Sequence, residues 1–184
     1  MNEPLDEAEA RMAGAVAHTR DEFGKIRTGR ANPGLVADLP VSYYGTQTPL
    51  QQIAGVTVPE PRMLLISPYD QSALRDIERS IQQSDLGVNP SNDGSVVRVV
   101  FPELTEERRR DYVRLARDRA EEGRVAVRNV RRHAKSEIAR RTEAGELSRD
   151  EGHRDSDALQ ALTDRYVAEI DKLLGNKERE LLEV

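Results

Sequence analysis

The chain has 184 residues, room for one large domain or two small ones, and its 33% charged against 37% hydrophobic residues make it more polar than an average globular domain. The absence of cysteine excludes a disulfide framework, thiol chemistry and a Cys-based zinc site, and a net charge of −5 means that any cationic surface has to be local. The opening Met1-Asn2-Glu3-Pro4-Leu5-Asp6-Glu7 is acidic without an apolar core, and no apolar run is long enough to span a bilayer, so a cytoplasmic protein without a signal peptide is expected.

Leu5, Ala8, Met12, Ala15, Thr19, Phe23 and Ile26 step by three and four, which predicts one amphipathic helix of about seven turns. Gly29 is its expected stop, and Ala31-Asn32-Pro33-Gly34 breaks any continuation. From Leu35 to Leu104 the segments are short and rich in β-branched residues. Val41 to Gly45, Ile53 to Val58, Arg62 to Ser67 and Ser95 to Phe101 read as strands, with Pro49, Pro59, Pro61 and Pro68 at their ends. One helix interrupts them, its face formed by Leu74, Ile77, Ile81 and Ser84, with Asp70 or Ser72 as N-cap. Asn89 to Gly94 is a loop and turn before the last strand.

A second long helix opens after Thr105, whose hydroxyl can cap it, with Glu106 and Glu107 at the positive end of the dipole. Its first stop is Gly145, about 40 residues and roughly 60 Å later at 1.5 Å per residue. Gly123 inside it costs about 1 kcal/mol relative to alanine and therefore marks close packing or a slight bend. Ser148-Arg149-Asp150-Glu151 is a capping box that starts the third helix, with Leu159, Leu162, Tyr166, Ile170, Leu173 and Leu174 as its apolar face. None of the three helices can bury its stripe alone, so they are expected to form an antiparallel bundle. The fold class is α+β in two domains: a bundle from 1–30 and 105–184, and an inserted β/α/β domain over 31–104. Two adjacent linkers, 30–34 and 101–105, form a hinge made of Arg30, Ala31, Asn32, Pro33, Phe101, Pro102, Leu104 and Thr105; a rigid interface is the other possibility.

The second long helix holds the one strongly cationic stretch. Arg110, Arg114, Arg117, Glu121, Arg124, Arg128, Arg131 and Lys135 recur in steps of four and three and share a face. A parallel stripe, Val113, Ala116, Ala120, Gly123, Val127, Val130 and Ala134, is apolar or small and lies about a quarter turn away. Between Gly123 and Ser136 there is no carboxylate, yet Arg124, Arg128, Arg131, Arg132 and Lys135 bring five positive charges. A solvated face laced with ion pairs is the bland interpretation, and the lack of acid within the stretch argues against it.

Chemistry that would make an enzyme is missing. His18, His133 and His153 are scattered without metal-ligand spacing. His18 and His153 read as surface residues, while His133 borders the basic face and is either an RNA contact or a plain surface residue. Asn92-Asp93-Gly94 lacks the Gly-Lys-Ser/Thr of a phosphate loop, and no hydroxyl has an activating neighbour. No cofactor or metal is implied. A cationic track of about 38 Å with almost no aromatic residues fits folded RNA, met through shape and phosphates, better than single strands. A helical adaptor or chaperone docking on an acidic protein is the alternative.

Five motifs in order carry a resemblance. Lys25-Ile26-Arg27-Thr28-Gly29-Arg30-Ala31-Asn32-Pro33, Tyr43-Tyr44-Gly45 with Thr48-Pro49-Leu50, Ser84 to Pro90, Leu104 to Arg109, and Arg124 to Arg132 all resemble the ribosome recycling factor family, and the likeness extends to Lys177 to Leu182. The resemblance implies an L-shaped, monomeric protein with a three-helix bundle and a β/α/β domain on a hinge. It also implies a non-enzymatic role: binding the post-termination ribosome and, with elongation factor G and its GTP hydrolysis, splitting it into subunits. By motif match, Arg128, Arg131 and Arg132 are expected to contact large-subunit ribosomal RNA. Arg124, Arg109, Lys135, Arg27 and Arg30 join them as further candidates. His133 departs from the pattern, where an aspartate commonly follows the two arginines.

Overall fold

The computed structural model describes residues 3–183; residues 1, 2 and 184, which belong to the expected bundle segments, lie outside the described residues. The chain divides into two compact units. One holds the residues up to Phe23 together with Val113–Arg179, the other Gly24–Tyr112 together with the residues from Glu180 onward.

Three helices build the first unit: α1 (Glu3–Gly24), and the greater parts of α4 (Glu106–Glu143) and α5 (Arg149–Leu182). Leu5, Ala8, Met12, Val16 and Phe23 of α1 are buried, as are Ala116, Ala120, Val127, Ala134 and Ile138 of α4 and Leu159, Leu162, Tyr166 and Ile170 of α5. Their directions follow from cross-helix pairs. Arg141 near the end of α4 meets Glu3 at the start of α1 at 3.0 Å, and Arg119 meets Glu22, so these two run antiparallel. Gly123 lies against side chains of both other helices. A Cβ there would sit 2.3 Å from the Thr19 hydroxyl of α1 and 3.1 Å from Cδ1 of Ile170 of α5, so the close-packing reading of this glycine is the correct one.

The connection from α4 to α5 is specified by its own residues. Gly145 takes a φ of 74°, a conformation costly for other residues, while Glu146 N–H donates to the Arg141 carbonyl at 2.9 Å. Ser148 and Glu151 then close the capping box in both directions: Ser148 N–H donates to the Glu151 carboxylate at 2.8 Å, and Glu151 N–H to the Ser148 hydroxyl at 3.2 Å. Thr105 caps α4 as expected, accepting from Arg108 N–H at 3.2 Å.

The first helix corrects the sequence reading, for α1 ends at Gly24 and not at Gly29. The reason lies further along the chain. Gly34 folds back on the helix end, where a Cβ would lie 2.8 Å from the Gly24 carbonyl oxygen, and the Asn32 side-chain amide donates to that oxygen at 3.4 Å. The Asn32 amide thereby takes up a terminal carbonyl that a seventh turn would otherwise use.

The second unit has a hairpin, β1 (Pro40–Tyr43) with β2 (Thr46–Pro49), a single turn α2 (Leu50–Ile53), and an antiparallel four-stranded sheet. Its strands β3 (Ala54–Glu60), β4 (Met63–Pro68), β5 (Ser91–Asn92) and β6 (Val97–Val100) lie in the order β3-β4-β6-β5. Period-two alternation puts Leu64, Ile66, Val97 and Val99 on the buried face, opposite Leu74, Ile77 and Ile81 of α3 (Leu74–Gln82). Sequence patterning missed β2, α2 and β5, which are only four, four and two residues long. Asp70 is the N-cap of the turn leading into α3, accepting from Ser72 N–H at 2.9 Å. The segments expected to be a hinge are both fastened to one turn of this unit. Ala31 N–H donates to the Pro61 carbonyl at 2.6 Å, and Phe101 N–H to the Arg62 carbonyl at 2.8 Å.

Candidate nucleic-acid interface

The cationic face of α4 is built by a helix whose apolar stripe is fixed against α1 and α5, so its outward residues are held in register. What the helix alone does not reveal is how they are neutralised. Arg117 reaches Glu178 at 2.7 Å and Arg124 reaches Asp171 at 2.7 Å, both on α5. Arg131 donates to Gln160 at 3.0 Å, and Gln160 in turn donates to Asp164 at 2.9 Å. Along α4 the arginines advance by seven, and on the antiparallel α5 their acids recede by seven. The two stripes therefore meet as a seam of ion pairs. The expectation that a stretch without acid leaves its cations uncompensated is thus corrected for Arg124 and Arg128, which take Asp171 of α5 and Glu121 of α4, while Arg131 and Arg132 meet neutral side chains.

The seam sorts the candidates. Arg124 is its most committed member: the side chain is only 19% exposed and also holds Glu121 at 3.0 Å. Burial opposes its charge, but the hydrogen bonds to Asp171 and Glu121 outweigh that and raise its pKa. Glu121 is correspondingly held below the usual carboxylate range, by Arg124 first and Arg128 next. Arg128 keeps about half its side chain in solvent, with Glu121 at 3.3 Å. Arg131 and Arg132 have neutral partners, Gln160 and Asn129, and Nε of Arg131 is buried without a hydrogen bond. Lys135 is exposed, and among the described residues it has no ion pair. Arg128, Arg131, Arg132 and Lys135 together form two turns of helix without a carboxylate, the least compensated part of the stripe.

The other candidates belong to the second unit. Arg27 is folded inward: its guanidinium lies 5.4 Å from the centre of the Phe101 ring and donates to the Pro102 carbonyl, and burial lowers its pKa. It fastens the end of the first helix segment to the strand exit and has little to offer a ligand. Arg109 donates to the Glu183 carbonyl at 3.1 Å, and with Arg30 and Arg62 it lines a cleft of about 490 Å³ that also holds Glu103, Glu180 and Glu183. His133 does not join the cationic face. It lines a smaller cleft in the first unit together with Glu3, Glu7, Arg11, Glu137 and Arg141.

Sequence reasoning missed Gln160, Asp171 and Glu178 as residues that shape the face. The signal was present, because Asp157, Asp164, Asp171 and Glu178 recur every seven residues on α5, the spacing of Arg110, Arg117, Arg124 and Arg131. No group of three or more metal-ligating side chains occurs among the described residues, and no described helix is long and apolar enough to cross a membrane.

Comparison with known proteins gives a consistent result. The family model for ribosome recycling factor matches residues 19–182. The ribosome-recycling factor of Thermobifida fusca (strain YX) is 56% identical over 184 residues, and that of Cutibacterium acnes 53%, each covering 100% of both chains. A solution structure of the ribosome recycling factor superimposes with a TM-score of 0.77 at 43% identity over 100% of both chains. The T. thermophilus ribosome recycling factor, in a structural model that places it and the E. coli elongation factor G on the E. coli post-termination complex, gives 0.70 at 45% identity over 98% of both.

Proposed function

The chain belongs to the ribosome recycling factor family, and from that premise we propose that it is a translation factor that binds the post-termination ribosome and acts there with elongation factor G to split it into subunits. It works in the cytoplasm without an active site of its own. The energy comes from GTP hydrolysis on the partner factor, and the role of this chain is to be held firmly at one end while force is passed through the other.

The anchor is the face of α4 bearing Arg128, Arg131, Arg132 and Lys135, which contacts the phosphates of large-subunit ribosomal RNA. The observation that carries this reading is the distribution of compensation along α4. Arg117 and Arg124 are consumed by the α5 seam, whereas of the four cations beyond it only Arg128 meets a carboxylate, Glu121 at 3.3 Å, and Arg131 and Arg132 meet neutral side chains. A phosphate that meets Arg131, Arg132 and Lys135 displaces counterions without first breaking an internal ion pair. Arg124 then belongs to the framework, holding α4 to α5, and Arg109 and Arg30 stay secondary candidates in the cleft of the second unit. Segments 30–34 and 101–105 act as the hinge in this reading; identical angles between the units in several crystal forms and in solution scattering would rule that out.

The test is co-sedimentation with large ribosomal subunits across a salt series. An Arg131/Arg132/Lys135→Ala variant is expected to lose affinity and to flatten the log–log salt slope by about 2, as three lost phosphate contacts imply. An Arg117/Arg124→Ala variant is expected to lower the unfolding midpoint while leaving the slope nearly intact. Equal slopes for wild type and the first variant would remove the anchor from this face.

A further inference from the structure

The seam between α4 and α5 keeps a regular step and breaks it at one place. Arg117 meets Glu178, and Arg124, seven residues on, meets Asp171, seven residues back. The next step of the same antiparallel register brings Arg131 opposite Asp164, where a third ion pair is to be expected. That pair is not made. Gln160, one turn before Asp164 on α5, stands between the two charges: its side-chain oxygen accepts from Nη1 of Arg131 at 3.0 Å, and its Nε2 donates to Oδ1 of Asp164 at 2.9 Å. Among the described residues Asp164 has no cationic partner and Arg131 no carboxylate.

The arrangement follows from residue type and spacing. Gln160 and Asp164 are four apart and share a face of α5. An amide has a donor end and an acceptor end, so between a carboxylate and a guanidinium it is stable in one orientation, NH2 toward the acid and oxygen toward the cation. Gln160 and Asp164 are exposed, whereas Arg131 is half-buried, with Nε enclosed and without a hydrogen bond. Only the two outer nitrogens of this guanidinium can therefore meet a ligand, and Gln160 steers one of them. To take a phosphate, Arg124 would have to give up the carboxylate of Asp171. Arg131 has to give up only a neutral oxygen, which water replaces.

We propose that Gln160 is a positioning residue of the RNA anchor: its side chain keeps Asp164 from neutralising Arg131, so that the guanidinium is aimed, charged and still open to a phosphate. This rests on the reading of Arg131 as a ribosomal RNA contact. The seam then carries two kinds of arginine. Arg117 and Arg124 fasten α4 to α5, while Arg131 is only steered by it.

The experiment is co-sedimentation of the full chain with large ribosomal subunits across a salt series, with a urea titration of each variant. Gln160→Ala removes the spacer and lets Arg131 reach Asp164, as the two preceding arginines reach their acids. The affinity is expected to fall about three- to fivefold, the size of an exposed ion pair, and the log–log salt slope to flatten by about 1. The urea midpoint should stay level or rise, the opposite of a structural lesion. Adding Asp164→Asn to Gln160→Ala should restore both affinity and slope. Gln160→Glu, which sets a carboxylate directly on Arg131, should reproduce the loss, and Asp164→Asn should not rescue it. Where Arg131→Ala weakens binding, an affinity unchanged by Gln160→Ala, or a loss that Asp164→Asn fails to restore, overturns the proposal. An Arg131→Ala chain that binds like wild type overturns the reading of Arg131 as an anchor, and this inference with it.

Discussion

Replacing Gly123 by alanine sets two effects of similar size against each other. Alanine in mid-helix gains about 1 kcal/mol over glycine. Against this, its methyl carbon would lie 2.3 Å from the Thr19 hydroxyl, which is buried and already donates to the Ala15 carbonyl at 2.9 Å, so neither helix can yield without loss. Overpacking of this kind costs about 1–3 kcal/mol, and a contact this short belongs to the upper half of that range. The net expectation is a loss of about 1–2 kcal/mol, a fall of about 2–8 °C in the thermal midpoint for a chain of this length. In a Thr19→Ala background the oxygen is gone, and what remains is the end of Ile170 at 3.1 Å and the Cβ of residue 19 at 3.4 Å, an ordinary contact, so the same Gly123→Ala change should stabilise by about 0.5–1 kcal/mol. Urea titrations of the four members of this cycle measure the coupling, expected at about 2 kcal/mol. If Gly123→Ala has the same sign in both backgrounds, the close approach of α1 and α4 is not what requires glycine.

Three further changes test other links. Arg27→Ala removes the stacking on Phe101 and the donation to Pro102 and should cost about 1–2 kcal/mol of stability while leaving the salt slope of ribosome binding unchanged; a changed slope would restore Arg27 to the RNA contacts. Ser148→Ala removes the N-cap of α5 and should cost about 1 kcal/mol, read as a drop of about 2–4 °C. Glu137 is held down to about 2 by hydrogen bonds from Arg140 and then Arg141, so its contribution is complete above the ordinary value of 4.5 and is lost as the pH falls through about 2. Glu137→Gln should therefore flatten the pH dependence of the urea midpoint within that window, and an unaltered slope would show that the pairs are not formed in solution.

Which features were legible from sequence depends on how local their causes are. Thr105, Gly145 and the Ser148–Glu151 box act within a few residues, and each does in the structure what its residue type implies. The end of α1 is not legible locally because it is set by Asn32 and Gly34, eight and ten residues downstream, folding back on a carbonyl. The hairpin turn at Tyr44-Gly45 hid inside an apparent strand end because tyrosine is an unlikely residue for it. The cationic helix was found from spacing alone, but its compensation was not, since the acids that meet Arg117 and Arg124 lie 61 and 47 residues away on another helix. The cleft beside His133 is hidden for a related reason, because its neighbours Glu3, Glu7 and Arg11 belong to α1.

The insertion of the second unit between α1 and α4 has a consequence during synthesis. When Gly24 has been added, the buried residues of α1 have no partner, and α4 is complete only about 120 residues later. At about 5–20 residues per second that is a delay of roughly 6–24 s, during which Leu5, Met12, Val16 and Phe23 stay open to water, to proteases and to other nascent chains. The α4–α5 hairpin, joined by a self-capped turn, closes without waiting for anything upstream. Protease treatment of chains arrested at residue 120 should cut within α1 at sites that the finished protein protects. Protection at that length would mean that the first helix finds a temporary shelter in the sheet unit.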